Sequence, residues 1–217
     1  MKGIKRVFTH FIFMIIVSVK IMMATGIYLA GVSQYLWRGQ KLYDKFALQP
    51  GVDLNVGSMV MGLWGSFHPD AGILAEADVT LRYALFLSSN AELNFGYTFY
   101  TFPQPDYTDS HEVFAGIDLD TFLSPGLSLY YDLDDGDGLY AEASLSYPIL
   151  ILSLDCSLGY NAGQWGYESS LTVLGLGLNA SLPAGPVEIT PAVFGQIALD
   201  DQYKTDGYVS LSIKYNL

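Results

Sequence analysis

The sequence is almost without cysteine. Cys156 is the only one among 217 residues, which excludes a disulfide framework and the clustered thiolates of zinc or iron–sulfur sites. Basic residues are also scarce, with 10 Lys and Arg against 22 Asp and Glu, so the chain lacks the cationic footprint that a phosphate backbone requires. No nucleic-acid partner is expected, and neither is a cofactor or a resident metal. Charged residues of both signs amount to only 15 %, against roughly 25 % in soluble domains. What is plentiful is apolar and aromatic: 51 % hydrophobic residues, 16 Tyr, 12 Phe and 22 Gly. That composition suits an exported or membrane-bound β protein.

The first 26 residues differ from the rest. Lys2, Lys5 and Arg6 precede an apolar run over residues 11–17, and Ala24-Thr25-Gly26 closes the segment with small residues. This predicts an export signal over 1–26. The run is interrupted at Ser18 and Lys20, well short of the ~20 residues a membrane-spanning helix needs. The four basic residues of this segment leave six against 22 acidic ones in residues 27–217, a net charge of −16 on the expected barrel domain.

From residue 27 onward the hydrophobic pattern has period 2, the signature of strands. Ala75, Ala77, Val79, Leu81, Tyr83 and Leu85 oppose Glu76, Asp78, Thr80 and Arg82; Leu150, Leu152, Leu154, Cys156 and Leu158 oppose Ser153, Asp155 and Ser157; Val209, Leu211, Ile213, Tyr215 and Leu217 oppose Ser210, Ser212 and Lys214. Twelve strands are predicted, at 27–38, 46–56, 59–67, 72–86, 91–102, 111–120, 126–133, 138–147, 149–161, 172–182, 187–199 and 207–217. An even number suits a closed up-and-down barrel. Connections alternate between tight ones, such as Gly57-Ser58, Ser88-Ser89-Asn90, Tyr147-Pro148 and Pro183-Ala184-Gly185-Pro186, and longer acidic ones carrying Asp134, Asp135 and Asp137 or Asp200 and Asp201. Short turns on one rim and long loops on the other are how outer-membrane barrels are built.

Side-chain size decides between lipid and water outside. The polar face is mostly Gly, Ser, Thr, Asn and Ala, whereas a soluble surface carries long charged side chains at about 25–35 % of positions. The apolar face is large and uncharged, with aromatic residues toward strand ends, which fits lipid outside and girdles at both interfaces. The charges on the polar face therefore point into the lumen. The expected pore-lining or interior network comprises Arg38, Asp53, Glu76, Asp78, Arg82, Glu112, Asp118, Asp132, Glu142, Asp155 and Lys214, with Arg82 placed beside Asp78 and Glu76 for a local ion-pair network.

Several runs resemble a known group of proteins: Tyr35-Leu36-Trp37-Arg38-Gly39-Gln40, Leu48-Gln49-Pro50, Gly62-Leu63-Trp64-Gly65-Ser66, Glu76-Ala77-Asp78, Gly96-Tyr97-Thr98-Phe99-Tyr100, and Ser124-Pro125 through Tyr130-Tyr131-Asp132. They look like uncharacterised bacterial outer-membrane β-barrel proteins of the Gcw conserved-hypothetical type. The resemblance implies the outer membrane and the barrel, and no activity. The last strand is similar to the assembly signal of such barrels, which implies outer-membrane lipids, lipopolysaccharide and the barrel assembly machinery as partners.

Twelve strands lie between the filled eight-stranded barrels and the open porins. A narrow, porin-like channel for small polar or cationic solutes is the leading expectation, since carboxylates outnumber cations on the polar face. A plugged structural or adhesive barrel is the second, because buried charges must be paired. A lipid-modifying enzyme is a distant third: His68 lies in a loop, Ser110-His111-Glu112 alternate faces in a strand, and neither histidine sits in a nucleophile elbow. The run from Asp132 to Gly138 offers oxygen ligands but fails the calcium-loop template. Trp37, Trp64 and Trp165 fall near strand ends, where interfacial anchoring is expected.

Overall fold

The computed structural model describes residues 24–105 and 107–217. The expected export segment lies outside the described residues, except for its last three positions, which open the first strand. The elements in chain order are β1 (Ala24–Val32), β2 (Tyr35–Trp37), β3 (Gln40–Tyr43), β4 (Ala47–Val56), β5 (Met59–His68), β6 (Ile73–Ser88), β7 (Ala91–Thr101), β8 (Ser110–Leu119), β9 (Gly126–Asp132), β10 (Gly138–Ile149), β11 (Leu152–Ala162), β12 (Ser170–Ala180), β13 (Leu182–Ala184), β14 (Val187–Ala198) and β15 (Asp206–Asn216), with one 3-10 turn at Gln164–Gly166. Among the described residues, twelve of these strands form a closed antiparallel ring. Each wall strand pairs with its neighbours in sequence, β12 pairs with β14, and β15 returns to β1 with Gly26 opposite Asn216 and Val32 opposite Ser210. β13 continues the β12 register along β14. Closure leaves the ring itself without a free strand edge among the described residues, the condition for a sheet that spans lipid.

The period-2 pattern sorts the two faces as expected. Ile27, Leu29, Leu81, Leu127, Leu154, Leu176, Leu211 and Ile213 point outward and are 43–49 % exposed, whereas the inward Glu112, Asp132, Asn161 and Gln164 are 0–1 % exposed. A water-soluble domain shows the reverse, so the outer surface is built for lipid. Outward aromatics fall into two groups: Tyr83, Phe95 and Tyr215 toward one rim, Tyr131 and Tyr160 toward the other.

Inside, large side chains sit over glycines of the neighbouring strand. A Cβ at Gly51 would collide with the Tyr28 ring, one at Gly96 with Phe114, and one at Gly175 with Ser157 and Phe194. Glycine in a strand interior often marks such a close approach.

The turn expected over Pro183-Ala184-Gly185-Pro186 narrows to Gly185-Pro186, because Pro183 and Ala184 pair with β14, and two further boundaries differ from the sequence reading. The first strand, expected over 27–38, ends at Val32, and residues 33–46 fold inward as the separate hairpin β2–β3. The cause is local: Arg38 (φ 48°) and Gly39 (φ 84°) both take left-handed conformations, the requirement of the tight two-residue hairpin turn. Arg38 is therefore a hairpin-tip residue and not a wall residue. The turn expected at Tyr147-Pro148 lies three residues later, at Leu150-Ile151, with Leu150 at φ 58°. Pro148 stays in the strand opposite Ser153, near its end, where a missing N–H is tolerated.

Candidate functional site: the lumen and its inward hairpin

The hairpin crosses the lumen close to the rim of longer loops, and both walls hold its tip. On one side, Arg38 donates through Nη1 to Glu112 Oε2 at 2.5 Å and through Nη2 to Glu112 Oε1 at 2.8 Å. This is the bidentate geometry that makes Arg–carboxylate pairs strong. Glu112 also accepts from Tyr100 Oη (2.9 Å) and Gln164 Nε2 (3.1 Å), while Gln164 Oε1 accepts from Arg38 (2.9 Å). The guanidinium lies over the rings of Tyr130 (4.2 Å), Trp37 (4.4 Å) and Tyr140 (4.9 Å). A buried charge needs such compensation on every side.

On the opposite wall, Gln196 Nε2 donates to the Gly39 carbonyl at 3.0 Å. The Gly39 Cα packs so closely on Val173 and Tyr203 that a Cβ would sit 2.9 Å from the Tyr203 ring. The hairpin legs are tied as well. Lys41 pairs with Asp206, which also accepts from Gln34. Lys45 Nζ donates to Asp70 at 2.8 Å, Tyr43 donates to the same carboxylate, and the Tyr43 ring stacks on His68 at 3.5 Å. Together, Lys45 and Tyr43 hold the loop residue Asp70 down at about 2, and Asp70 in turn raises Lys45.

Of the residues expected to line the interior, Arg38 and Glu112 meet in this latch. Asp132 closes its own loop, accepting from Ser110 Oγ (2.7 Å) and from the N–H groups of Asp134 (2.9 Å) and Gly136 (3.1 Å). The acidic run that hinted at a cation loop thus spends its first carboxylate on its own backbone. Glu76 and Asp78 lie beneath the hairpin, with Tyr35 against Glu76. Arg82 pairs with Glu92 on β7 at 3.3 Å, in place of the expected Asp78 and Glu76, which stand four and six positions back along its own strand, roughly 14 and 20 Å away at about 3.4 Å per residue. Asp118 accepts from Asn94 at 2.7 Å. Asp155 accepts from Ser146 (2.7 Å), Ser153 (3.0 Å) and Asn179 (2.7 Å). Asp53 faces the lumen beside Gly62, Lys214 covers Gly26, and Glu142 lines a cavity of about 300 Å³ with Ser144, Asp155 and Phe194.

The sequence reading missed Gln164, Tyr100, Gln196 and Lys41, which complete the latch and its anchors. One signal was present: the span assigned to the first strand runs up to an x-Gly pair, Arg38-Gly39, directly after Trp37. The tryptophans are corrected too. Trp64 is on the inner face of β5 with its ring 5.6 Å from Tyr35, Trp37 is in the hairpin 6.1 Å from Tyr100, and Trp165 lines an inner cavity. None of the three is among the exposed apolar residues of the outer girdles.

Two cavities flank the hairpin at the loop rim. One of about 510 Å³ lies among Trp37, Gln40, Glu76, Tyr107, Asp135 and Trp165. The other, about 450 Å³, shares Glu76 and Tyr107 and adds Lys41 and His68. His111 is engaged elsewhere: it faces outward, stacked on Phe99 at 4.8 Å and bonded to Tyr97, while its neighbour Ser110 points inward to Asp132.

No protein-family model matches the chain, and none of the curated proteins matches it. Solved structures do. The chain is similar to the KdgM porin, with a TM-score of 0.63 at 10 % identity over 88 % of this chain and 99 % of that one; that porin is also solved in complex with disordered oligogalacturonate. The NanC porin follows with a TM-score of 0.61 at 10 % identity, covering 88 % and 100 %. The outer membrane phospholipase A from Escherichia coli reaches 0.51 at 12 % identity, covering 88 % and 90 %. The fold is thus that of twelve-stranded outer-membrane barrels, with an inward hairpin and an acidic, hydrogen-bonded lumen.

Proposed function

We propose that the protein is an outer-membrane conduit for small cationic or neutral polar solutes, with the hairpin tip as its constriction. The observation that carries this reading is the division of the lumen. Below the tip, Asp53, Asp118, Glu142 and Asp155 occupy the inward face of their strands, with Arg82 and Lys214 as the cations of that set, and Glu142 and Asp155 line a space walled by Ser144, Ser146, Ser157, Gly175 and Gly177. Rings of carboxylates favour cation passage. The oligogalacturonate of the KdgM complex is a polyanion; the acidic lining here supports a different selectivity on the same fold. Lipid, lipopolysaccharide and the assembly machinery are the partners this reading implies.

A second reading, a plugged structural or adhesive barrel, is favoured by one observation: the tip is bonded to both walls at once, through Glu112 and Gln196. A lipid-modifying activity finds less support, since Ser110 and His111 address opposite faces of β8.

Single-channel recording of the refolded protein in a planar bilayer separates these. The conduit gives stable steps with a cation-selective reversal potential, and a variant with residues 34–45 replaced by a short Gly-Ser link conducts several-fold more. If the parent inserts, shows heat-modifiable migration and stays silent while the shortened variant conducts, the plugged reading replaces the conduit.

A further inference from the structure

We propose that the 510 Å³ cavity at the loop rim binds a small organic cation that also carries an oxygen acceptor. The inference builds on the conduit reading and names the solute class received at its entrance. Cavities of about 300–1,000 Å³ are the usual size for small-molecule sites.

The lining is aromatic and acidic. Trp37 from the hairpin, Tyr100 from the end of β7, Phe102 and Tyr107 from the following loop, and Trp165 and Tyr167 from the loop after β11 surround one space, with Glu76 and Asp135 in the same lining. Among the described residues no Lys or Arg lines it. Ring faces attract cations through their quadrupole, most strongly when water is displaced, and Trp is the best of them. Two carboxylates in the same wall add the long-range attraction that metal-free organic-cation sites use.

The polar atoms refine the ligand. Gln40 Nε2 and Trp165 Nε1 are both buried without a hydrogen-bond partner among the described residues, and both residues line this cavity. Leaving a buried donor unpaired is costly, so two of them in one wall favour a ligand that brings an acceptor. Trp165 is held for the purpose by its own backbone. It takes a left-handed conformation at φ 59°, and its N–H donates to the Gly136 carbonyl at 2.7 Å. The adjoining cavity is a built-in contrast: it shares Glu76 and Tyr107 but adds Lys41 and His68, which removes the electrostatic preference for a cation.

The test is a titration of intrinsic tryptophan fluorescence in detergent-refolded protein. Choline chloride is the probe, with potassium chloride at equal ionic strength, tetramethylammonium chloride and glucose as comparisons. Choline is expected to give a saturable change in the millimolar range, absent with potassium chloride. Tetramethylammonium, which has no oxygen, binds several-fold more weakly. Trp165→Leu weakens choline binding about tenfold, and Asp135→Asn weakens it a few-fold, more at low salt than at high. If Trp165→Leu loses heat-modifiable migration, Tyr107→Leu in the exposed loop serves in its place.

Non-saturating choline, or glucose binding as tightly as choline, overturns the proposal; equal affinity for tetramethylammonium overturns the acceptor half of it. Failure here is distinct from failure of the conduit. A protein that conducts cations and ignores choline removes only this site, and one that binds choline but passes no current keeps the site and loses the conduit.

Discussion

Toward the loop rim the lumen is packed with Glu112, Gln164, Tyr140, Asn161 and Thr172, all fully buried. Toward the turn rim the same strands present Ser144, Ser146, Ser153, Asp155, Gly177 and Asn179, mostly half-exposed. The wall cannot account for the difference, because its alternation is the same throughout. The difference comes from chain that leaves the wall: the hairpin carries Arg38 in, and the loop after β11 carries Gln164. A carboxylate on the wall becomes a structural anchor where such an insert reaches it, as at Glu112. It stays a lumen charge where only serines and asparagines from neighbouring strands reach it, as at Asp155. Sequence position on a strand therefore says which face a charge occupies, and the inserts say what it does there.

The comparison breaks most severely at Glu112. Glu112→Ala leaves the Arg38 guanidinium buried without its carboxylate, and the expected loss is about 3–5 kcal/mol, measured as a fall in the urea midpoint of the refolded barrel. Replacing both partners, Arg38→Met with Glu112→Leu, is expected to lose much less, because no lone charge remains. A double variant as unstable as Glu112→Ala alone would show that the latch is not the source of the stability.

At the turn rim the effect moves from stability to selectivity. Asp155→Asn keeps the size of the side chain among Ser146, Ser153 and Asn179 and is expected to change stability by no more than about 1 kcal/mol. The reversal potential in a salt gradient should shift toward zero as cation preference falls. An unchanged reversal potential with a large drop in midpoint would make the two halves alike.

The smallest effect concerns the outer base of the hairpin. Asp70 is held near 2 from an ordinary 3.8 by Lys45 and Tyr43. Its contribution is therefore complete above the unfolded value and is lost as pH falls from about 4 toward 2. The pair is exposed, so its worth is small. The difference in thermal midpoint between parent and Asp70→Asn should be present at neutral pH and vanish at the acid end. A difference that persists at the lowest pH would assign it to something other than ionisation of Asp70.

The wall was legible in the sequence because lipid and lumen impose opposite chemistry on adjacent residues, so runs such as Leu150 to Leu158 could be sorted by inspection. Ten of the eleven charges assigned to the wall interior lie on wall strands, and the eleventh, Arg38, enters the same lumen from the hairpin. What could not be read were partners. Arg38 and Glu112 stand 74 positions apart, and Gln196 reaches Gly39 across 157. Pairings of this kind arise only when the ring closes. The tryptophans misled for a related reason: a residue near the end of a strand can face the membrane interface or the mouth of the lumen, and strand-end position alone does not separate the two.

The rings seated on glycines, Tyr28 at Gly51, Phe114 at Gly96 and Phe194 at Gly175, have a consequence for assembly. Neighbouring strands that slide by two residues keep every side chain on its own face, so polarity alone does not penalise the slip. Sliding β1 against β4 moves the Tyr28 ring from Gly51 onto Gln49 or Asp53, where its seat is already filled. Three such seats, spread over separate strand pairs, act like the teeth of a gauge: only one stagger lets all of them close, and the circumference and tilt of the cylinder follow from it.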